Sequence, residues 1–534
     1  MRSNSRQRDR VSGVNTPADR ANRTQPTPPI EFGSNLVRSR WDDGTVDAAR
    51  GTASRRSSIE ELTNDLSAIC PTSTAATALA EHSRDWWPLA MRWALQSQVP
   101  RLAWVVTSPR STAEVRRVVQ TCAAHDVPLT VAAGRSGVSG ASIPLFGGVV
   151  LDTNHLQGVL SVDQRSGVVE VLAGTFGPDL ERALAEHSLT VGHFPQSFDI
   201  STVGGWVACL GAGQFSTRYG KIDDMVVGLE VVLADGSVIV TAGAPAAAHG
   251  PDISSMFIGS EGTLGVITRV WLRAHDKAPA RRKAAYRFST FEDGIAAMRA
   301  SIRAHATPAV LRLYDPVESQ RSHGGDGTTC TLIVLDDGER EIVDATLAVV
   351  DRAALAHGAV EVSSDRVDHW LEHRNDTSGL QALTTKGFVI DTMEVAAPWS
   401  RLDDVYRSVC NAVTAVRGAR SVSAHVSHSY LDGACIYFTF VGTPSSRDIT
   451  DRTTAEHESL YLAIWNAAQH AALRAGGNLS HHHGVGLNRG RFMREAMGSS
   501  FDVLVAMKRA LDPRDIFNPG KLGLPTSRGS VPLS

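Results

Sequence analysis

Three consecutive histidines, His481, His482 and His483, stand in a loop flanked by serine and glycine. Imidazole titrates near pH 7, so such a loop can exchange protons or bind an anionic substrate. A metal site is disfavoured because adjacent side chains diverge, no carboxylate lies close in sequence and no HxxxH spacing is present. A chance surface run is the remaining alternative. We predict that the loop is functional and that it holds no metal.

A tyrosine and an arginine in apolar strands are the other candidates for chemistry. In the run ACIYFTF, an isoleucine and two phenylalanines alternate with Tyr437 and form the natural core face, so Tyr437 points toward a pocket or solvent. A purely structural tyrosine is the alternative. Arg312, in LRLYD, carries a guanidinium that can pair with a carboxylate or clamp a phosphate in bidentate geometry.

Four segments rich in glycine and small hydroxyl residues precede or flank these groups. The first, residues 133–140, follows a short apolar strand and has glycines at spacing three. Glycine permits positive φ and close backbone approach, and successive N–H groups can then form a concave site for a pyrophosphate. The spacing is not GxGxxG, so a Rossmann site is not indicated. Together with segments 196–206, 211–224 and 259–267, the loop predicts a site for a long, polar ligand that carries phosphate.

The elements that must position these residues alternate between helix and strand patterns. A hairpin with an Asp-Gly turn interrupts the first such region, which therefore reads as α+β and not as a βαβ array. Near the N-terminus, Trp86, Trp87 and Trp93 are predicted packing anchors. We divide the chain into a disordered basic tail (1–57), a helical segment (58–96), a first α+β domain (97–278), a second α+β domain (279–475), a C-terminal return segment (476–525) and a tail (526–534).

Composition and charge exclude several classes of protein. The 534 residues are 42% hydrophobic and 20% charged, as in a soluble globular protein of two or three domains. Residues 1–57 hold eleven arginines and six acidic residues, a net charge of +5. The whole chain has a net charge of −3, so the remaining residues carry −8. The folded part therefore lacks the basic surface of a nucleic-acid-binding protein.

Cysteine usage and hydropathy predict the cellular environment. The six cysteines are scattered singly, which is typical of a reducing cytosol. We see no apolar run of about 18 residues and no signal-peptide core. We expect a cytoplasmic protein that acts on a small molecule, with peripheral membrane contact through the basic tail and a homodimer left open.

Longer runs of sequence carry a resemblance to a known family. They are HFPQSFDISTVGGWVA, RYGKIDDMV, GSEGTLGVIT, RLYD, AAPW, GACIYFTF, SHHHGVG and LDPRDIFNPGKL. In this order they resemble the vanillyl-alcohol-oxidase-type flavoproteins and, within them, the alkyldihydroxyacetonephosphate synthases of ether-lipid synthesis. The resemblance covers nearly all of residues 97–525. It implies an α+β fold: a two-subdomain PCMH-type FAD-binding domain and a cap, or substrate, domain with an antiparallel sheet.

The resemblance also implies how FAD is held. Many relatives tether the flavin through a histidine in the first loop, and this loop has none, so we expect non-covalent FAD. The residues that match the family's FAD contacts are Ala133, Gly134, Arg135, Ser136, Gly137, Gln196, Ser197, Asp199, Ser201, Thr202, Gly205, Gly211, Ala212, Glu261, Gly262, Thr263, Gly265, Val266 and Ile267.

The chemistry implied by the resemblance is exchange of the acyl group of acyl-dihydroxyacetone phosphate for a fatty alcohol, without net oxidation or reduction. Tyr437 would move the proton, the histidine loop would bind and polarise the substrate, and Arg312 would support the site. His193 matches a family histidine and is assigned to substrate binding.

Two departures from the family keep a second function open. A lysine expected after the histidine loop is missing, and Arg489 is the basic residue nearest to it. An arginine expected in the cap is also missing, and the nearest is Arg374 in WLEHRND, a run similar to FAD-linked dehydrogenases of 2-hydroxy acids. We assign both arginines to substrate binding. The alternative function is an FAD-linked oxidase or dehydrogenase of a 2-hydroxy acid or alcohol.

Overall fold

The computed structural model describes residues 28–41, 53–444 and 454–533. It has the predicted α+β architecture, with three main sheets and helices packed on them. No helix within these ranges is long and apolar enough to cross a membrane. The helices are Ala53–Ser67, Ala76–Glu81, Pro88–Ala94, Thr112–Ala124, Gly177–Ala185, Val203–Ala208, Ser216–Tyr219, Ile222–Met225, Ser254–Phe257, Phe291–Arg303, Pro316–His323, Arg340–Ala356, Asp365–His373, Ser378–Thr385, Leu402–Thr414, Thr454–Arg474, Met493–Met497 and Ser500–Leu511.

The first sheet positions the glycine loop. Its central strands run parallel, and the helix Thr112–Ala124 crosses between two of them. Ser111 begins this helix by accepting a hydrogen bond from the backbone N–H of Glu114 at 3.2 Å. In sheet order the strands are Thr72–Ser73, Val105–Thr107, Val149–Asp152 and Leu129–Ala132.

The second sheet is antiparallel and has five strands. Its hairpin turns at Gly236, whose φ of +83° is left-handed and explains why the turn needs glycine. The segment around residue 261 leads into the strand Val266–Arg273, and Val266 at the start of this strand packs against residues of the first sheet. In sheet order the strands are Val238–Val240, Val226–Val232, Val266–Arg273, Val168–Leu172 and Val159–Asp163.

The third sheet has seven antiparallel strands and forms the cap. Ile436, Phe438 and Phe440 are fully buried on one face, against the helices Leu402–Thr414 and Thr454–Arg474. This is the core face that alternation predicted, and the opposite face is turned to the first domain. In sheet order the strands are Val360–Val362, Ala280–Phe288, Cys330–Gly338, Val310–Tyr314, Ala419–Ser429, Gly433–Gly442 and Val389–Pro398.

The disordered basic tail predicted for residues 1–57 is wrong for residues 28–41. There the strand Arg38–Ser39 pairs with Gln98–Val99, and the Trp41 ring lies 5.1 Å from that of Trp93. The average composition hid this anchor among polar neighbours. Residues 1–27 and 42–52 lie outside the described residues.

The predicted C-terminal tail and one predicted packing tryptophan also need correction. Arg528 forms an ion pair with Asp126 at 2.8 Å, so the last residues are attached to the first domain. Trp87 and Trp93 are fully buried, as predicted, but Trp86 lines the central cavity described below.

Candidate active site

The glycine loop passes so close to a neighbouring segment that only glycine fits at Gly134. A Cβ atom there would lie 2.1 Å from the carbonyl oxygen of Ile200, far inside van der Waals contact. Arg135 follows with a left-handed φ of +50°. The loop backbone is thereby pressed against the 196–206 segment, and both line the wall of one cavity.

This cavity, of about 810 Å³, lies between the first domain and the cap sheet. All but two of the nineteen residues predicted to contact the cofactor line it. The exceptions are Thr263 and Val266, which are fully buried away from the wall. The Thr263 hydroxyl donates to the Ser260 carbonyl, and Val266 packs in the core between the first two sheets, so both serve the fold.

Glu261 links the fourth glycine-rich segment to the C-terminal return segment. Its carboxylate accepts hydrogen bonds from the backbone N–H groups of Val485 and Gly486 at 2.5 and 2.8 Å. Burial raises the pKa of this carboxyl to about 7, although the two donors oppose the shift. Glu261 therefore fixes the loop after the histidines against the cavity wall.

The cap sheet presents a row of polar side chains across four strands. Register places Tyr314, His425, Tyr437 and Glu394 opposite one another on successive strands. The rings of His425 and Tyr437 stack at 4.9 Å and 14°. His425 was not singled out from sequence, because only the pairing of its strand with that of Tyr437 brings the two together.

Tyr437 points into the cavity, as predicted. Its hydroxyl donates to Thr392 Oγ1 at 2.9 Å. Burial raises the pKa of the Tyr437 hydroxyl, and the bond to Thr392 offsets only part of the rise. The group is therefore protonated at neutral pH and is set to act first as an acid or hydrogen-bond donor.

The histidine loop is held by one buried carboxylate. The backbone N–H groups of His481, His482 and His483 donate to Glu394 Oε1 at 3.2, 3.0 and 2.8 Å. Arg489 forms an ion pair with the same carboxylate. Although burial opposes ionisation, Arg489 and His483 hold the pKa of Glu394 well below its usual value.

The assignment of Arg489 to substrate binding is therefore wrong. Both Arg489 and Glu394 are fully buried, and the arginine does not line the cavity. Its guanidinium also donates to the Leu479 carbonyl. Nearness in sequence to the histidine loop did not reveal that the side chain points away from the substrate side.

The histidines differ in their access to the cavity. His482 and His483 line it, whereas His481 lies behind His482. Burial and Lys221 lower the pKa of His481 to about 3, and burial with His483 holds the pKa of His482 well below its usual value. These two imidazoles are neutral at pH 7, so they act by hydrogen bonding and proton exchange and carry no fixed positive charge.

His428, which the sequence reasoning missed, approaches the loop from the cap sheet. One ring nitrogen from each of His428, His481 and His482 lies within 4.8 Å of the other two, a spacing at which the three could hold a metal ion. The His428 Nδ1 atom lies 2.5 Å from Ser216 Oγ. The prediction that the loop holds no metal stays a prediction.

Arg312 lines the cavity and is oriented by His425, which in turn contacts Glu318. Its Nη2 donates to His425 Nε2 at 2.5 Å. Since Nε2 must then be the acceptor, His425 carries its proton on Nδ1, which lies 3.2 Å from Glu318 Oε1. Burial and Arg312 lower the pKa of His425, in agreement with a neutral ring.

The two other residues assigned to the substrate also lie in the cavity wall. Arg374 donates to Gln214 Oε1 at 2.7 Å and stays charged at neutral pH, although burial lowers its pKa to about 10. His193 packs on Trp206 at 4.6 Å, and burial lowers its pKa to about 3. His193 is thus an uncharged wall residue, whereas Arg374 can attract an anion.

The cavity has chemically different ends. At one end, around Tyr314 and Trp370, the cationic and imidazole side chains are Arg312, Arg321, His323, His369, His373 and Arg374. The apolar side chains come from the helices Pro88–Ala94 and Ser378–Thr385 and from two cap strands; they are Pro88, Met91, Leu380, Leu383, Ile390 and Val441. Tyr437, Thr439 and Val441 follow one face of a strand, so the cavity runs along it from the tyrosine to the apolar end.

Comparison with known proteins agrees with this arrangement. The FAD binding domain family matches residues 103–242, and the family of C-terminal domains of FAD linked oxidases matches residues 277–522. An uncharacterised FAD-linked oxidoreductase of Escherichia coli O157:H7 is 32% identical over 429 residues, which cover 77% of this chain and 87% of the relative. The chain belongs to the FAD-linked oxidase family.

Other members of this FAD-linked group are similar over most of the chain. Alkyldihydroxyacetonephosphate synthase of Dictyostelium discoideum is 28% identical over 466 residues, covering 80% of this chain and 74% of that one. The crystal structure of p-cresol methylhydroxylase shares the fold with a TM-score of 0.69 at 15% identity, covering 88% of this chain and 97% of that one. The predicted PCMH-type fold is confirmed.

The residues present fit FAD. Four backbone segments converge on the cavity, and the absent Cβ at Gly134 leaves the glycine loop free to lie flat against its neighbour. A helix begins at Val203 directly after Thr202, whose side chain accepts from the Gly205 N–H. Such small-residue segments let a long dinucleotide approach the backbone closely.

Proposed function

We propose that this FAD-dependent enzyme acts as an alkyldihydroxyacetonephosphate synthase does, exchanging the acyl group of acyl-dihydroxyacetone phosphate for a fatty alcohol. One observation carries the proposal. A single cavity joins the glycine-rich segments, Tyr437 with His482, a cationic end and an apolar end. A substrate with an anionic head and a long apolar chain matches this order of surfaces.

The residues divide the work between binding and proton transfer. Arg312 and Arg374 suit the phosphate, because guanidinium groups bind phosphate oxygens in bidentate geometry. Tyr437 gives a proton to, or takes it from, the exchanging oxygen, and His482 donates a hydrogen bond to the carbonyl oxygen and can exchange a proton with it. When bound, FAD supplies an electrophilic ring system that can accept electrons.

The second candidate is an FAD-linked oxidase or dehydrogenase of a 2-hydroxy acid or alcohol. The cationic end favours it equally well, because Arg312 and Arg374 would also hold a carboxylate. A neutral histidine such as His482 would then receive the hydroxyl proton with Tyr437 as a hydrogen-bond donor, and bound FAD would supply the hydride acceptor. The name of the E. coli relative is in keeping with redox chemistry.

An anaerobic assay separates the two functions. The flavin-loaded protein is mixed with radiolabelled hexadecanol and acyl-dihydroxyacetone phosphate, and separately with a panel of 2-hydroxy acids. Alcohol incorporation with the oxidised flavin spectrum unchanged at the end supports the synthase. Bleaching of the flavin by a hydroxy acid, without incorporation, refutes it and supports the dehydrogenase.

The same preparation tests how the cofactor is held. We propose that FAD is bound without a covalent link, because the glycine loop has no histidine. Acid precipitation should then release the yellow colour into the supernatant. Flavin that stays with the precipitated protein would contradict this.

A further inference from the structure

A chain of hydrogen bonds leads from the cavity through the histidine loop to a tyrosine on the far side. His482 lines the cavity, and its Nδ1 atom lies 2.8 Å from Nδ1 of His481. The other nitrogen of His481, Nε2, lies 2.6 Å from the hydroxyl oxygen of Tyr430. Each link is of ordinary hydrogen-bond length.

We propose that His482, His481 and Tyr430 form a proton relay between the substrate cavity and the protein surface. Neither the sequence motifs nor the family resemblance singled out Tyr430. The proposal rests on the proposed function only in needing a reaction in the cavity that gains or loses a proton, which both candidate functions do.

The proton positions along this chain are mutually consistent. If the Tyr430 hydroxyl donates to His481 Nε2, then His481 carries its proton on Nδ1 and donates it to His482 Nδ1. His482 is then protonated on Nε2, the nitrogen left for the cavity. All three groups are uncharged in this arrangement, which fits their burial.

One turn of the relay conserves protons and charge. The His482 Nε2–H bond breaks and its proton goes to a substrate oxygen. His482 Nδ1 takes the proton of His481 Nδ1, His481 Nε2 takes the hydroxyl proton of Tyr430, and the Tyr430 oxygen takes one from water. The same steps in reverse carry a proton out of the cavity.

The outer end of the chain lies at an acidic surface. Tyr430 is partly exposed, and the charges that act on it include Asp223, Asp224 and Asp432, all of which are exposed. Burial and these charges raise the pKa of the Tyr430 hydroxyl, which keeps it protonated and able to donate. Exposed carboxylates also attract protons to this point from bulk water.

Neighbouring branches end inside the protein. His428 Nδ1 is bonded to Ser216, whose side chain is buried, and the Tyr437 hydroxyl is bonded to Thr392 in the cavity itself. The path through His481 is the one of these three that reaches an exposed surface.

The relay is also mechanically fixed. The Glu394 carboxylate holds the backbone N–H groups of the loop, and Lys221 donates to the His481 carbonyl at 2.9 Å. Fixed heavy atoms keep the donor–acceptor distances short, which proton transfer requires. The other titratable groups that face His481 are Lys221, Glu394, His428 and His483, and every variant below keeps all four.

The test replaces Tyr430 by phenylalanine in the FAD-loaded protein, with Tyr286→Phe as control. This control also loses one hydroxyl, which bonds to Asp351 in the cap, and neither residue lines the cavity. We expect Tyr430→Phe to lower kcat about tenfold, with KM and flavin content unchanged; this is less than the about 100-fold or more expected for loss of a group that transfers the proton directly, because water can partly replace the outer end of the path. The solvent deuterium isotope effect on kcat should rise, and an indicator dye should show delayed proton release. Unchanged kcat and isotope effect would refute the relay.

A second readout needs no turnover. In protein labelled with ¹⁵N in the histidine rings, nuclear magnetic resonance reports which nitrogen of His481 carries the proton. Tyr430→Phe should shift the His481 Nε2 and His482 resonances, whereas Tyr286→Phe should leave them in place. Shifted resonances in a protein with no alkyl exchange or hydroxy-acid oxidation would sink the proposed function and leave the relay standing. Unshifted resonances overturn the relay whatever the reaction is.

Discussion

Replacing Arg489 by methionine tests whether this arginine holds the histidine loop. Arg489 and Glu394 are both fully buried, so the substitution leaves a carboxylate charge in the interior. Breaking a buried pair by removing one partner costs about 3–5 kcal/mol. Three backbone N–H groups and the Ser480 hydroxyl still donate to Glu394. We therefore expect a loss near the lower end, about 3 kcal/mol.

Urea unfolding followed by tryptophan fluorescence measures this loss. Arg401→Met is the matched control, because Arg401 pairs with Asp404 on the surface and its side chain is 62% exposed. An exposed pair contributes at most about 1 kcal/mol, so the control should unfold almost as the parent does. Adding Glu394→Gln to Arg489→Met removes the buried charge and should restore part of the lost stability.

The reasoning fails if Arg489→Met unfolds at the urea concentration of the parent protein. It fails as well if the variant folds normally but raises KM for the anionic substrate. The first result would mean that other groups neutralise Glu394, and the second that Arg489 reaches the substrate.

Three further substitutions test the site. Tyr437→Phe should lower kcat about 100-fold or more with flavin content unchanged, because a proton-transfer group is lost. Steady-state kinetics measure kcat, and a variant with unchanged kcat would remove Tyr437 from the mechanism. Gly134→Ala should weaken FAD binding, because its Cβ would overlap the Ile200 carbonyl and such overpacking costs about 1–3 kcal/mol. Gly243→Ala is the control, because the space around Gly243 is open. Equal ratios of flavin to protein absorbance in the two variants would contradict the expectation. The pKa of Glu261 is about 7 in the folded protein and 4.5 when unperturbed, so its contribution to stability is full below pH 4.5 and is lost as the pH rises through 7. A plot of the unfolding midpoint against pH should therefore be flatter for Glu261→Gln than for the parent protein over this range. An unchanged slope would count against the assignment.

The side of the strand on which Tyr437 lies could be predicted from sequence because a strand alternates with a fixed period of two. The glycine-rich segments could be predicted for the same kind of reason, since residue type alone shows where the backbone can be approached closely. The partner of Tyr437 could not be predicted. His425 faces it only through the register of two strands, and that register shifts between Ser427 and Ser429. A one-residue change of register would have turned His425 to the core.

Glu394 shows a second limit of the sequence. It lies on a cap strand 87 residues before His481, and nothing in its local run marks it as the acceptor for three backbone N–H groups. Sequence spacing shows only the carboxylates that are close along the chain, whereas this carboxylate comes from a neighbouring strand of the cap sheet. Arg489 was misassigned for the same reason, because its partner was not known.

The way in which Glu394 is neutralised decides how the cavity can use its histidines. Arg489, the backbone N–H groups and His483, whose Nδ1 lies 3.0 Å from Glu394 Oε2, satisfy the carboxylate, so His482 need not carry a positive charge to balance it. His482 is free to stay neutral and to exchange a proton, while the lasting positive charge of the cavity wall comes from arginines such as Arg312 and Arg374. An anionic head is then drawn to the arginine end and not to the histidine loop.

This separation orients a substrate along the strand that carries Tyr437. His425 connects the tyrosine to Arg312 on one side, and Thr439 and Val441 continue toward the apolar helices on the other. A bound molecule with its anion at the arginine end and its chain at the apolar end must place the atoms between them at Tyr437. In acyl-dihydroxyacetone phosphate the atoms between phosphate and chain include the ester carbon that exchanges, so the order of charge, proton donor and apolar surface matches the order of groups in the proposed substrate.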